Sequence, residues 1–332
     1  MAELSVASIG DLTKMGEILW QKGFDSVPKV MRTSGLFKTV SIPQGTGDTR
    51  DFSEIDGEMY ADEKGESDQA TRAKVQQGYS KTMYVYRFAK DIGISYEMRT
   101  RNKYPEVTAK LTGLGSQVAN KLELDMAHRI GFGTATTYVN KNGRTVDIAT
   151  GDSLQLFYSA HTIKTAATTY RNRLANNPRL SKGALEGMER LVTENTVNQF
   201  GEKMTMPFDI LFTTDDPNTC NTAREYLQST ADVEGSNSGV KNVYMSKYRH
   251  LVLPLIATTA AGIVDTDKRY YWGIASSQAS TAYLGVWEEP HMKPPQEEDF
   301  STDDTVFGAR GAWGLATVSG AWIKISTGNS ES

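Results

Sequence analysis

The stretch "DTRDFSEIDGEMYADEKGESDQATRAK", residues 48–74, decides how the rest of the chain is read. It holds few large apolar side chains, so it cannot pack a core of its own. Between Asp48 and Asp68 it carries nine acids (Asp48, Asp51, Glu54, Asp56, Glu58, Asp62, Glu63, Glu66 and Asp68) against two bases, Arg50 and Lys64, a net charge of −7. The whole chain of 332 residues carries only −4. The following segment, "YSKTMYVYRFAKDIGISYE" (79–97), alternates Met83, Val85, Arg87 and Ala89 with Tyr84, Tyr86 and Phe88. Aromatic and β-branched residues at period two indicate strand. This returning side is basic, through Arg72, Lys74, Lys81, Arg87 and Lys90. Residues 41–97 thus predict a long hairpin with an acidic outgoing limb and a basic returning limb. Limbs of about 20 residues, at roughly 3.3 Å each, reach on the order of 60 Å, beyond a globule about 50 Å across. A lone two-stranded ribbon is marginally stable in water, so such a hairpin needs another molecule to rest on.

Before the hairpin, residues 1–40 read as an arm. "DLTKMGEILWQKGF" (11–24) offers Asp11 as an N-cap and puts Met15, Ile18 and Leu19 on one helical face. "SVPKVMRTSGLFKTV" (26–40) reads as extended, because Pro28 forbids a long helix. After the hairpin, "KYPEVTAKLTGLGSQVANKLELDMAHRIGFG" (103–133) is the clearest helix. Val107, Leu111, Leu114, Val118, Leu122 and Met126 recur at three or four, with Pro105 in the first turn and Gly131 at the end. Residues 105–130 then form a strut nearly 40 Å long at 1.5 Å per residue, weakened locally by Gly113 and Gly115.

Further along, "NKNGR" (140–144) is a hairpin turn. A helix over 181–196 is capped by Ser181, and another opens at Asp216 and Pro217. Residues 233–242 and 288–304 read as loops, with strands near 249–256, 269–275, 281–287 and within 305–326. No internal repeat is present.

The 39% apolar content supports a substantial core, and 23% charged residues is the globular norm. A charge of −4 argues against a general binder of nucleic acid or membrane surfaces. The aromatic–basic string "YVYRFAK" (84–90) could stack bases, but it follows a segment that repels phosphate. Cys220 is the only cysteine, so no intramolecular disulfide forms, and it falls within a helix as an inert thiol. The N-terminus lacks the basic and apolar regions of a secretory signal. "LVLPLIATTAAGIV" (251–264) is too short for a membrane span and contains Pro254.

The four histidines, at 128, 161, 250 and 291, have no metal-ligand spacing. "TGLGSQVA" (112–119) and "GFGTAT" (131–136) lack the third glycine and the preceding strand of a dinucleotide loop. Asp215 and Asp216 precede Pro217 and read as a helix cap rather than a catalytic pair. A cytosolic hydrolase built on His161 and Asp215 is the rival reading from another functional class. No catalytic, metal or cofactor site emerges, and the expectation is a non-enzyme without cofactors.

The order of parts resembles the major capsid proteins of tailed bacteriophages with the Hong Kong 97-type fold, and is most similar to phage Mu-like major head subunits. Arm, hairpin and spine helix follow the family order over residues 1–132. "LFYSAHTIK" (156–164) with "NNPRLSKGALEGMERLV" (176–192), "FDILFTTDDPNTCNTAREYLQS" (208–229), "RYYWGIAS" (269–276) and "FGARGAWGLATVSGAWIKISTG" (307–328) resemble further family segments.

The resemblance implies an α+β fold with five parts. These are an N-terminal arm (1–40), an extended hairpin loop (41–97), a peripheral domain with the spine helix (98–205), an axial domain (206–299) and C-terminal return strands of the peripheral domain (300–332). It implies a shell subunit that assembles as pentamers and hexamers around double-stranded DNA without specific binding, in the virion and, during assembly, in host cytoplasm. A separate scaffolding protein, a portal and a decoration protein would be its partners, with no membrane. On this reading the hairpin lies over a neighbouring subunit, and Asp51, Glu54, Asp56, Glu58, Arg72, Lys74, Lys81 and Arg87 make inter-subunit contacts. No covalent Lys–Asn crosslink is expected. An encapsulin-like compartment, with protein cargo, is the alternative on the same fold.

Overall fold

The strut helix is the axis around which the chain is arranged. A computed structural model describes residues 9–43, 45, 47–67, 69–100, 104–233, 240–295 and 303–328. In chain order the elements are α1 (Ile9–Ser26), α2 (Val30–Thr33), β1 (Lys38–Ser41), β2 (Thr49–Gly57), β3 (Val75–Tyr84), β4 (Tyr86–Ile94), α3 (Tyr96–Thr100) and α4 (Tyr104–Gly131). They continue with β5 (Thr137–Val139), β6 (Thr145–Asp147), β7 (His161–Thr162), β8 (Thr169–Tyr170), α5 (Lys182–Glu194), β9 (Ile210–Thr213) and α6 (Pro217–Gln228). The last strands are β10 (Arg249–Val252), β11 (Trp272–Ala275), β12 (Ala282–Met292), β13 (Thr305–Thr317) and β14 (Ile323–Ser326).

All six apolar positions read from the helical period, Val107 to Met126, are buried along α4. They face α1 and a four-stranded sheet ordered β1-β12-β13-β4. Trp313 of β13 anchors this contact: its indole Nε1 donates to Asp125 of α4 at 3.1 Å, and Phe88 of β4 stacks on its ring at 4.1 Å. A second sheet, ordered β10-β9-β11-β14, lies between two cores. Ile210 and Phe212 of β9 belong to the core under α4, and the intervening Leu211 to the core under α5 and α6. That alternation is the period of two expected of a strand covered on both faces.

The arm differs from expectation. Helix α1 is already helical at Ile9, so Asp11 is not its N-cap. Its buried stripe is Gly16, Trp20, Gly23 and Phe24, continued by Val27 just past its end, whereas Ile18 is 69% exposed. The glycines explain the choice of face. A Cβ on Gly23 would lie 2.0 Å from the Thr112 carbonyl oxygen, and one on Gly115 would lie 2.1 Å from that of Trp20. The two helices therefore meet backbone to backbone, and the arm rests on its own spine helix. The stretch 26–40 is not wholly extended: α2 forms, and its backbone N–H groups at Met31 and Arg32 donate to buried Glu123 of α4 at 2.6 and 3.3 Å. Strand β1 then joins the sheet parallel to β12.

Caps and turns follow the sequence. Ser181 Oγ accepts from Ala184 N, and Asp216 Oδ2 accepts from Thr219 N with Pro217 in the first position of α6. The 140–144 turn joins β5 to β6, with Gly143 at φ 79°. Of the two expected loops, residues 234–239 and 296–302 lie outside the described residues. The charged loop begins later than expected, because β12 continues to Met292.

Strand pairing crosses residue 299, where the sequence reading sets a boundary. β12 and β13 are antiparallel neighbours in the first sheet, although the boundary falls between them. β14 pairs with β11 in the second sheet rather than with the strands of the first. Each strand goes where its apolar face can be covered. Leu284, Phe307 and Leu315 join the core around α4, and Ile323 and Ile325 close the edge of β11.

Candidate assembly interface

The hairpin exists, but it is about half as long as its sequence suggested. β2 and β3 pair from Thr49↔Tyr84 to Gly57↔Val75, so the ribbon spans roughly 30 Å at 3.3 Å per residue. Two features shorten it. Residues 58–74 hold too few β-formers to continue the ladder. At the other end the chain breaks at Val85, and β4 leaves the ribbon to pair along β13. The alternation read across 79–97 therefore slips, and Met83 and Phe88, from opposite predicted faces, both pack inward.

A register shift between Ser53 and Ile55 sets what each face presents. A bulge of this kind re-aims side chains. Glu54 and Asp56 turn towards the body of the subunit. Gln199 Nε2 donates to Glu54 Oε2 at 2.9 Å, and Gln199 N donates to Asp56 at 3.3 Å. Burial pushes the Glu54 carboxyl up to about 7; hydrogen bonds from Ser319 and Gln199 oppose the shift, and the charges of Asp56 and Asp152 add to it. The opposite face leaves Ile55 and Val75 67% and 69% exposed, with Met59 and Tyr60 exposed beyond them. Two further sets of apolar side chains are exposed, Val240, Val243 and Met245 after α6, and Ile263 with Val264.

Contacts of the ribbon with its own subunit correct the expectation of an overhanging hairpin. Met59 N donates to Glu202 at 3.0 Å, Tyr60 Oη donates to the Lys203 carbonyl at 3.3 Å, and Lys164 Nζ reaches the Gly78 carbonyl at 3.3 Å. Most of the charges assigned to inter-subunit contacts have partners within the chain. Lys81 pairs with Asp147 at 2.6 Å, Thr82 Oγ1 donates to Asp51 at 2.5 Å, and Arg87 lies over the Trp287 ring at 4.7 Å. Lys74 and Glu58 instead face each other across the two limbs of the one hairpin, at 3.9 Å. Arg72 is exposed in the connecting loop. Gln199 and Ser319, which meet Glu54, were invisible to sequence reasoning. Their only signal was an acid, Glu54, inside a strand.

His161 and Asp215, the rival catalytic pair, are not brought together. His161 is fully buried, with Nδ1 at 2.7 Å from Asp152 Oδ2, Nε2 at 3.2 Å from the Leu156 carbonyl, and its ring stacked on Tyr170 at 4.9 Å. Burial of Asp152 works against ionisation, but hydrogen bonds from His161 and Thr150 outweigh it and hold the carboxyl below its ordinary value. Asn172 Nδ2 ties this cluster to the Leu156 and Gly320 carbonyls at 2.5 and 3.0 Å. The arrangement joins the 150–172 segment to the C-terminal strands. Asp215 lies in a separate surface cleft with Asp265 and Arg269. Lys324, fully buried, donates to the Arg171 and Asn195 carbonyls at 3.2 and 3.1 Å, and burial lowers its ammonium to about 7. Among the described residues, no cluster of His, Cys, Asp and Glu has the makings of a metal site, and no helix is long and apolar enough to cross a membrane.

A sequence model of the phage capsid protein family matches residues 78–324. No curated protein sequence matches the chain. Among solved structures, the capsid of cyanophage P-SCSP1u is similar over 87% of this chain and 85% of its own, at 10% identity and a TM-score of 0.50. The mature capsid of bacteriophage PhiM1 is similar over 88% and 85%, at 13% identity and a TM-score of 0.50. A virus-like particle from Pyrococcus furiosus is similar over 95% of this chain and 99% of its own, at 12% identity and a TM-score of 0.50. With the family matched across the hairpin's returning strand, the spine helix and both sheets, the chain belongs to the phage capsid protein family and is a major capsid subunit with the Hong Kong 97-like fold.

Proposed function

We propose that this subunit assembles as pentamers and hexamers into an icosahedral or prolate shell around double-stranded DNA, and that it does so without catalysis. The observation that carries this reading is the two-faced hairpin. One face is hydrogen-bonded to its own subunit, while Ile55 and Val75 stand out on the other, 67% and 69% exposed. A neighbouring copy would cover them, and the acidic residues 58–74 would meet basic groups on that copy. Single exposed ion pairs contribute only about 0.2–1 kcal/mol, so repeated pairs would fix register more than affinity. Residues Asp51, Arg72, Lys74 and Arg87, exposed on the hairpin or close to it, remain the candidates for such pairs. The second sheet, with α5 and α6, is our candidate for the unit that meets its copies around the symmetry axes. The spine helix with the first sheet would form the periphery. A separate scaffold, a portal and a decoration protein complete the proposed set of partners, with assembly in host cytoplasm.

The test is to replace residues 58–74 by a two-residue turn joining the cross-strand partners Gly57 and Val75. The expected result is a folded subunit, with the circular dichroism and melting of the parent, that forms no stable shells by negative-stain electron microscopy. Normal particles from that variant would refute the role given to the hairpin. An encapsulin-like compartment is a second reading, favoured by the virus-like particle whose chain is matched over 99% of its length. Purified particles filled with DNA decide for the first reading, and particles filled with protein decide for the second.

A further inference from the structure

The outgoing strand of the hairpin carries a half-buried carboxyl beside a buried amide in unusual company. Glu54 accepts from Gln199 Nε2 at 2.9 Å, yet the buried Gln199 Oε1 has no hydrogen-bond partner among the described residues. A buried acceptor left empty costs about 1–3 kcal/mol. An ionised carboxylate cannot help, because it only accepts. A protonated one can: its O–H donates to Gln199 Oε1 while its other oxygen accepts from Nε2. Acid and amide then form a closed ring of two hydrogen bonds, and no buried acceptor is left over.

The charged and titratable groups around Glu54 favour the same state. Asp56 lies on its own strand and is held by Gln199 N. Asp152, paired with His161, adds a second negative charge from the 150–172 segment, and Tyr170, whose hydroxyl lies 3.3 Å from Ser319 Oγ, contributes a neutral phenol. Three lysines of the surrounding segments are engaged elsewhere: Lys81 with Asp147, Lys164 with the Gly78 carbonyl, and Lys324 with the Arg171 and Asn195 carbonyls. An open cleft of about 550 Å³ borders the pair, lined by Glu54 and Gln199 themselves with Met204, Met206, Tyr283 and Trp322 among others.

We propose that Glu54 and Gln199 form a proton-dependent latch, which holds the hairpin on its own subunit when the carboxyl is protonated and releases it when the carboxyl ionises. The direction follows from linkage. The docked carboxyl titrates near 7 against an ordinary value of 4.5, so docking takes up a proton. Its stabilisation is complete below 4.5, declines through the interval and is gone above 7. The latch is a property of the single subunit. That release frees the hairpin to reach a neighbouring copy rests on the shell reading above.

Hydrogen exchange of the subunit, held dilute enough to stay unassembled, tests the latch whether or not shells form. Protection of amides in 49–57 and 75–84, corrected for intrinsic exchange, is expected to fall roughly 30-fold between pH 5.5 and pH 8. In Glu54→Gln, which keeps both hydrogen bonds without a proton to lose, protection should change less than about three-fold over that range. Unchanged protection in the parent, or an equal pH dependence in Glu54→Gln, overturns the proposal. Gln199→Met provides a second arm if the first variant fails to fold. It removes the amide but leaves the carboxyl, and protection at pH 5.5 should drop about ten-fold. Full protection there overturns the latch.

Discussion

Three glycines in two helices show how much one atom decides. Gly23 and Gly115 let α1 and α4 touch backbone to backbone, and an added Cβ would meet a carbonyl oxygen at 2.0 Å in one case and 2.1 Å in the other. Backbone cannot rotate away as a side chain can, so the helices would have to part. Overpacking of this kind costs about 1–3 kcal/mol, more than the roughly 1 kcal/mol that alanine gains over glycine within a helix. Gly113, two residues from Gly115, has nothing within 4 Å of where a Cβ would sit. Gly115→Ala and Gly23→Ala should therefore lower the stability of the subunit, while Gly113→Ala should raise it by up to about 1 kcal/mol. Thermal denaturation of the three variants side by side checks the opposite signs. If Gly113→Ala and Gly115→Ala shift the midpoint in the same direction, the account of the helix contact is wrong.

At the scale of elements, local chemistry and tertiary demand agree in some places and compete in others. α6 is a case of agreement. Asp216 caps it, Pro217 sits where its missing N–H is no loss, and Cys220, Ala223 and Leu227 form its buried face. Asp216→Ala should cost about 1 kcal/mol in chemical denaturation, the usual value of such a cap, with no change in secondary structure. The strands from Val75 to Ile94 are a case of competition. A period of two runs through them, but Met83 and Phe88 are both drawn to cores, and the chain breaks at Val85 to satisfy both. The hairpin was legible because charge and composition are local. Its length was not, because β4 pairs with β13, more than 200 residues away in sequence.

For the whole molecule, the question is which surfaces the fold leaves to be covered. Ile55 and Val75 share one face of the hairpin as diagonal neighbours, since Ile55 pairs with Gln77 and Gly57 with Val75. Because both are exposed in the single subunit, the double variant Ile55→Asp with Val75→Asp should leave its stability within about 0.5 kcal/mol of the parent. It should nonetheless abolish particle formation, since an interface core does not tolerate unpaired charge. Size-exclusion chromatography separates the outcomes: folded subunits without particles are expected, and particles of parental size would show that this face is not an interface.

Sequence alone determined what depends on neighbours along the chain. It placed the buried stripe of α4, the caps at Ser181 and Asp216, the turn at 140–144, and the acidic segment that cannot fill a core. The family order of these parts was legible too. Tertiary structure decided everything that depends on partners distant in sequence: the glycine contact of the arm, the placing of β12 in one sheet and β14 in the other, the burial of His161 against Asp152, and the pairing of Glu54 with Gln199. The physical reason is one of range. Periodicity, capping and turn chemistry act over a few residues and are written in the string. Close packing and buried hydrogen bonds join atoms that only the completed fold brings within reach.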